Sequence, residues 1–151
     1  MRSAEVWVAI LATSVFLAGC GGAAVAPSPS QALAKPTPLA TFRLIPEPTV
    51  AASGSILLFA TPSSTSIEVK VTGLKANSSH VSHVDLGSCQ QRGAIAFPLH
   101  PVVANGKGEA DTRTTLNLKY PPPTGHWYVV VHAGPDMQGT NASYLLCGNL
   151  F

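Results

Sequence analysis

Beyond its first twenty residues the chain alternates apolar and polar residues with a period of two. No stretch there carries the 3.6-residue period of a helix. Such alternation puts one face of an extended strand against a core and the other in water. In Thr65 to Val71, Ile67, Val69 and Val71 point one way, while Glu68 and Lys70 point the other. Glu109 to Lys119 alternates along its whole length, with Ala110, Thr112, Thr114, Leu116 and Leu118 as the inner face. Ser55 to Ala60 is a further short strand, and His126 to His132 (HWYVVVH) is apolar on both faces, which predicts a central strand. Turn chemistry recurs every ten residues or so. Asn105-Gly106-Lys107-Gly108 predicts a hairpin turn before the long strand, because Asn-Gly tolerates positive φ. Pro121 to Gly125 breaks the chain again. Thirteen Pro and thirteen Gly exclude an all-helical protein. The pattern predicts an all-β antiparallel sandwich or Greek-key barrel of about 100 residues, spanning residues 51–151.

Composition narrows the function classes. With 151 residues the chain has the size of one domain with some to spare. Nine Lys and Arg against seven Asp and Glu give a net charge of +2, and no basic run exists to neutralise phosphates. That excludes a dedicated nucleic-acid binder. Only 11% of residues are charged, which excludes an acidic disordered tail or a long coiled coil. A Gly-rich phosphate loop and a G-x-S-x-G elbow are both missing from the sequence, and carboxylates are scarce in the folded part.

The first twenty residues resemble an address. Val6 to Ala18 (VWVAILATSVFLA) is an apolar run of thirteen residues behind Arg2. It is shorter than the about 20 residues a membrane-spanning helix needs and has the length of a signal-peptide core. Leu17-Ala18-Gly19-Cys20 resembles a bacterial lipobox, in which the Cys thiol takes a diacylglycerol after cleavage; an ordinary signal peptide with an incidental Cys is the alternative. The lipobox reading makes 1–19 a lipoprotein signal peptide. The protein would then be exported and held on the membrane by lipid on Cys20, with its folded domain outside the cytoplasm. Residues 20–50 read as lipidated Cys plus spacer. Six Pro fall between Gly21 and Val50, mixed with Ala, Ser and Thr, which makes a semi-rigid tether. Ala40 to Ile45 within it is mildly strand-like.

With Cys20 consumed by lipid, Cys89 and Cys147 remain, an even pair in an oxidising compartment. This favours a disulfide, with two free thiols or a metal site using both as the alternatives. Closing a loop of about 59 residues contributes roughly 4 kcal/mol on chain-entropy grounds.

Four strings then accumulate in order. Gly73-Leu74 precedes His80-Val81-Ser82-His83-Val84-Asp85-Leu86-Gly87-Ser88-Cys89. Leu99 to Asp111 contains a Gly-rich turn before the long strand. Tyr128-Val129-Val130-Val131-His132-Ala133-Gly134-Pro135-Asp136 follows, and the chain closes near Cys147-Gly148. Residues 54–151 thereby resemble the copper/zinc superoxide dismutase family, and the Tyr-Val-Val-Val-His stretch also resembles the chordin-type (CHRD) domains of bacterial surface proteins. The resemblance implies an eight-stranded Greek-key β-barrel with Cys89 and Cys147 as its internal disulfide.

The resemblance also implies a reduced metal site. In the family, copper is held by four imidazoles, two of them in an H-x-H pair whose members point to one side of a strand. Here His83 matches the first of that pair, and the second falls on Asp85. His132 matches the copper ligand of the V-V-H string, and the bridging His has no counterpart. The zinc loop is reduced to Gln90 to Pro98 (QQRGAIAFP), without His or Asp. Asp136 matches the Asp that orients the ligands of both metals, and Tyr144 stands where the family has the Arg that guides superoxide. His83, His132 and Asp85 would make a weak copper or zinc site and a poor redox centre, since carboxylate is a hard ligand that disfavours Cu(I). His80 and His100 read as structural or solvent-facing, with His100 a conceivable third ligand. His126 sits too far along its strand to share an ion with His132. Asp136 is equally suited to capping the turn after the strand. The expectation is a surface-anchored lipoprotein with a non-catalytic dismutase-like domain that binds a metal weakly or serves as a structural or binding module. The alternative is a copper-only dismutase variant acting outside the membrane.

Overall fold

The computed structural model describes residues 35–122 and 125–151. The expected signal peptide, the lipidation site Cys20 and the spacer as far as residue 34 lie outside the described residues. Lys35–Phe151 is one compact unit. Its strands are β1 (Ala40–Pro46), β2 (Ser53–Ala60), β3 (Thr65–Thr72), β4 (Ser79–His80), β5 (Ser82–Gly87), β6 (Arg92–Pro98), β7 (Val102–Val103), β8 (Ala110–Leu116), β9 (Trp127–His132) and β10 (Tyr144–Asn149). A single 3-10 turn, Gly139–Ala142, is the only helical element among the described residues. Eight strands form one antiparallel sheet in the order β6-β5-β9-β10-β1-β2-β3-β8, and β4 pairs with β7 separately. The sheet curls into a half-barrel. Its curl brings Ile67 and Val69 of β3 into one apolar cluster with Val84 of β5 and Val129 of β9, although β3 and β5 lie far apart in the strand order.

The predicted strands form where the alternation places them, with two differences at their edges. β8 stops at Leu116, short of the alternating run. β1 falls within the stretch read as spacer, so the compact unit begins sixteen residues before residue 51 (51 − 35). The reason is visible in its side chains: Leu44 is fully buried and Phe42 packs against the same core. β1 lies between β2 and β10 and joins the two halves of the sheet.

Two local expectations change. The turn at Asn105 to Gly108 does not close a hairpin, because β7 pairs with β4 while β8 pairs with β3. The left-handed residue there is Gly108 (φ 77°), and a Cβ on it would stand 2.2 Å from the Leu74 carbonyl oxygen. Asn105 instead accepts the Lys107 and Glu109 amides at its side-chain oxygen. Gln90 to Pro98 was expected as the remnant of a loop, yet Arg92–Pro98 is the edge strand β6. Ile95 and Phe97 favour an extended chain, and two register shifts against β5 let the strand follow the curl.

β9 is buried along its entire length, as its doubly apolar pattern predicts. Trp127, Val129 and Val131 face the main core. Tyr128 and Val130 face the other way and, with Cys147, Cys89 and Tyr144, make a second, smaller cluster on the outer face. The Cys89–Cys147 disulfide is formed, with the two Cα atoms 5.9 Å apart. It ties the loop after β5 to β10 beside this outer cluster.

Candidate metal centre

The outer face of β5, β9 and β10 carries the polar residues of interest because pairing fixes which side chains share a face. His83 lies opposite Val130, and Asp85 lies opposite Tyr128. Both therefore stand on the outer face, two residues apart on β5. His132 ends β9, where its amide donates to the Val81 carbonyl (2.8 Å), and it lies opposite Tyr144 of β10. The imidazoles of His83 and His132 come together with ring centroids 5.0 Å apart. The structure thus pairs His83 with His132 and places Asp85 on the same face, all three nearly inaccessible to solvent.

Each imidazole is held differently. His132 Nδ1 is 2.8 Å from the Ala142 carbonyl oxygen. A carbonyl only accepts, so Nδ1 carries the proton and Nε2 carries a lone pair. That Nε2 is buried without a hydrogen-bond partner. His83 Nδ1 and Asp85 Oδ1 are likewise buried and unpartnered, and these three atoms are all such side-chain atoms among the described residues. Burial lowers the His83 pKa from its ordinary 6.5, the neighbouring His132 lowers it further, and Asp85 opposes both. His83 is therefore biased towards the neutral form, which is the form that binds metals.

Two tyrosines close the site. Tyr144 packs its ring edge-on against His132, with centroids 5.2 Å apart. Its hydroxyl donates to Asp85 Oδ2 at 3.4 Å and lies 3.0 Å from the Tyr128 hydroxyl. Burial, the bond to Tyr144 and the charge of Asp85 all raise the Tyr128 pKa above the ordinary phenol value. The guanidinium of Arg92 lies over the Tyr144 ring at 3.9 Å and pairs with Glu47 at 2.6 Å.

The remaining histidines are elsewhere or already bonded. His80 is buried, with Nδ1 donating to the His132 carbonyl (2.9 Å) and Nε2 2.7 Å from Ser78 Oγ. It braces the backbone at His132. His100 Nδ1 bonds the Arg113 carbonyl, and His126 Nδ1 bonds the carbonyl of Phe151, at the opposite end of β9 from His132. Asp136 is exposed and accepts the Gln138 amide and the Asn141 side chain, whose hydrogen bonds lower its pKa. It organises the loop between β9 and β10.

The donor set fits a divalent ion in chemistry. Two neutral imidazoles and a carboxylate suit Zn(II) or Cu(II), and the three buried polar atoms without partners belong to these same three side chains. Among the described residues no three His, Cys, Asp or Glu side chains form a ready ligand group, so Asp85 neighbours the imidazole pair without completing it. Sequence reasoning read His80 as structural or solvent-facing without its contact to His132, and it missed Arg92. Neither leaves a spacing motif, because each reaches the site across the sheet and not along a strand.

No protein-family model matches this chain, and no curated protein matches it significantly.

Proposed function

We propose that the protein is an exported lipoprotein, anchored through Cys20, whose β-domain is of the Greek-key superoxide dismutase type and binds copper or zinc weakly through His83, His132 and Asp85 without catalysing dismutation. The strand order supports the Greek-key reading. β1, β2 and β3 are consecutive antiparallel neighbours, while β8 and β9 reach their antiparallel partners β3 and β5 over long connections, crossovers of the kind a Greek key uses. The observation that carries the metal reading is that all three unpartnered buried side-chain atoms belong to residues of one outer-face cluster. His132 is preset as a ligand, since a carbonyl on Nδ1 fixes the tautomer that leaves Nε2 free. When bound, the ion would supply Lewis acidity, and in the case of copper a one-electron couple. The chain's own part is to keep both imidazoles dry, with His132 oriented by the Ala142 carbonyl and His83 biased towards its neutral form. Two nitrogens and a hard oxygen stabilise Cu(II) over Cu(I), which supports a non-catalytic role.

The dismutase alternative draws on one observation. Arg92 over Tyr144 puts a cation next to the place where the family's guiding Arg is missing, although Glu47 offsets its charge.

Titration of the protein with Cu(II) and Zn(II), followed by calorimetry and by electron paramagnetic resonance for copper, tests the reading. The expected result is one equivalent bound with nitrogen hyperfine structure, lost in both His83→Ala and His132→Ala. Absence of binding in the unaltered protein overturns it. Superoxide removal by the copper-loaded protein at rates approaching diffusion would favour the dismutase alternative.

A further inference from the structure

We propose that the seam where the curled sheet fails to close binds a fatty acid, with its alkyl chain against Trp127 and its carboxylate at Lys119. The inference is independent of the metal reading, because Trp127 and His132 stand at opposite ends of β9. β6 and β8 are the two ends of the strand order and do not pair with each other. At one point the segment after β6 bridges to β8. There the His100 amide donates to Thr114 Oγ1 at 2.8 Å, and His100 Nδ1 lies 3.1 Å from the Arg113 carbonyl oxygen. Elsewhere along the seam a cleft of about 620 Å³ opens, lined by Phe97 of β6, by Leu118 and Lys119 beyond β8, and by Pro121, Pro122 and Trp127. That volume falls within the range of small-molecule sites. The lining is preformed. Trp127 is buried and braced by Phe97, with ring centroids 5.2 Å apart, and by Phe151 at 5.7 Å. The Leu118 carbonyl accepts the Thr65 hydroxyl at 2.8 Å, which ties that side of the cleft to β3.

The chemistry of the lining selects the occupant. Five of the six residues are apolar, so a ligand rich in polar groups would bury them without partners, which is costly. The sixth, Lys119, is exposed, and the ion pairs among the described residues use Lys70, Arg92 and Arg113 instead. One unengaged cation beside an otherwise apolar cleft complements a molecule with a single anionic head and a long apolar body. A lysine stem lies along apolar surface while its ammonium stays in water, so the carboxylate sits at the rim and the chain lies below it. The rings of Phe97 and Trp127 are inclined 63° to each other. They form no parallel slot for a planar ligand, whereas a flexible alkyl chain conforms to them.

The test is ω-bromododecanoate added to the full-length protein carrying Trp7→Phe. Trp7 and Trp127 are the two tryptophans of the chain, so the emission then reports Trp127, and bromine quenches it only on contact. The expected result is saturable quenching at one equivalent. Lys119→Gln, at an exposed position, should weaken that binding by about two- to fivefold at low salt, the range of a rim ion pair, and should leave binding of the uncharged ω-bromododecanol unchanged. High salt should shrink the difference, because it screens exposed charge. Absence of quenching overturns the proposal. So does quenching by acid and alcohol alike that Lys119→Gln leaves unaltered. Tighter binding of naphthoate than of dodecanoate, measured by displacement, overturns the choice of an alkyl chain. Self-association that covers Trp127 with a second copy and prevents quenching overturns the fatty-acid assignment altogether.

Discussion

At the scale of single residues, His80 and His83 show how two histidines three positions apart take opposite roles. His80 is buried with both ring nitrogens near a partner, one of them holding the carbonyl of His132. Removing it leaves that carbonyl without its side-chain donor, so His80→Ala should cost about 1–3 kcal/mol of stability, measurable by urea unfolding, and should weaken metal binding through the displaced His132. His83 is buried with Nδ1 unpartnered, and its pKa is held below 6.5. The unfolded chain binds its proton at the ordinary value, so between the two values the unfolded state carries more protons and stability rises with pH. The His83 contribution is complete above about pH 6.5 and is lost as pH falls through the lowered folded value. Unfolding free energies measured across that window should fall on acidification, and His83→Gln should flatten the slope. Of the site, the pair His83 and His132 was legible in the sequence only through the strings that resemble the copper/zinc superoxide dismutase family. Arg92 was not, since its contact with Tyr144 joins β6 to β10 across two intervening strands.

At the scale of elements, β3 and β8 follow directly from period-two alternation and β9 from a short run apolar on both faces, each of them unbroken. β6 and β10 do not. β6 is an edge strand whose residues are largely exposed, so burial imposes little alternation on it. β10 contains a register shift, which breaks the two-residue period that would announce it. The same shift is what delivers Tyr144 to the outer face, so the feature that hides the strand also builds the site. The turn before β8 depends on Gly108, whose positive φ and closeness to Leu74 leave no room for a side chain. Gly108→Ala should destabilise the fold by at least about 1–2 kcal/mol, read as a lowered urea midpoint with an unchanged slope, whereas Gly106→Ala, with open space around it, should be far milder.

At the scale of the whole molecule, the disulfide and the curl of the sheet act together. Cys89 and Cys147 are 58 positions apart and staple the loop after β5 to β10 over the outer cluster. Replacing both by Ser should cost about 2–5 kcal/mol, seen as a lower unfolding midpoint that no longer responds to reductant. Local pattern was enough to determine that this chain makes short antiparallel strands around one apolar core, because alternation and turn residues act within a few positions. Cysteine count singled out the pair Cys89 and Cys147, and the family resemblance singled out His83 and His132. Only the tertiary structure decided that β1 belongs to the sheet, that His80 is a brace, and that Tyr128, Tyr144 and Arg92 gather around the imidazole pair. Those contacts depend on strand order, register and curl, which are set by the packing of the whole sheet and leave no periodic trace in any single segment.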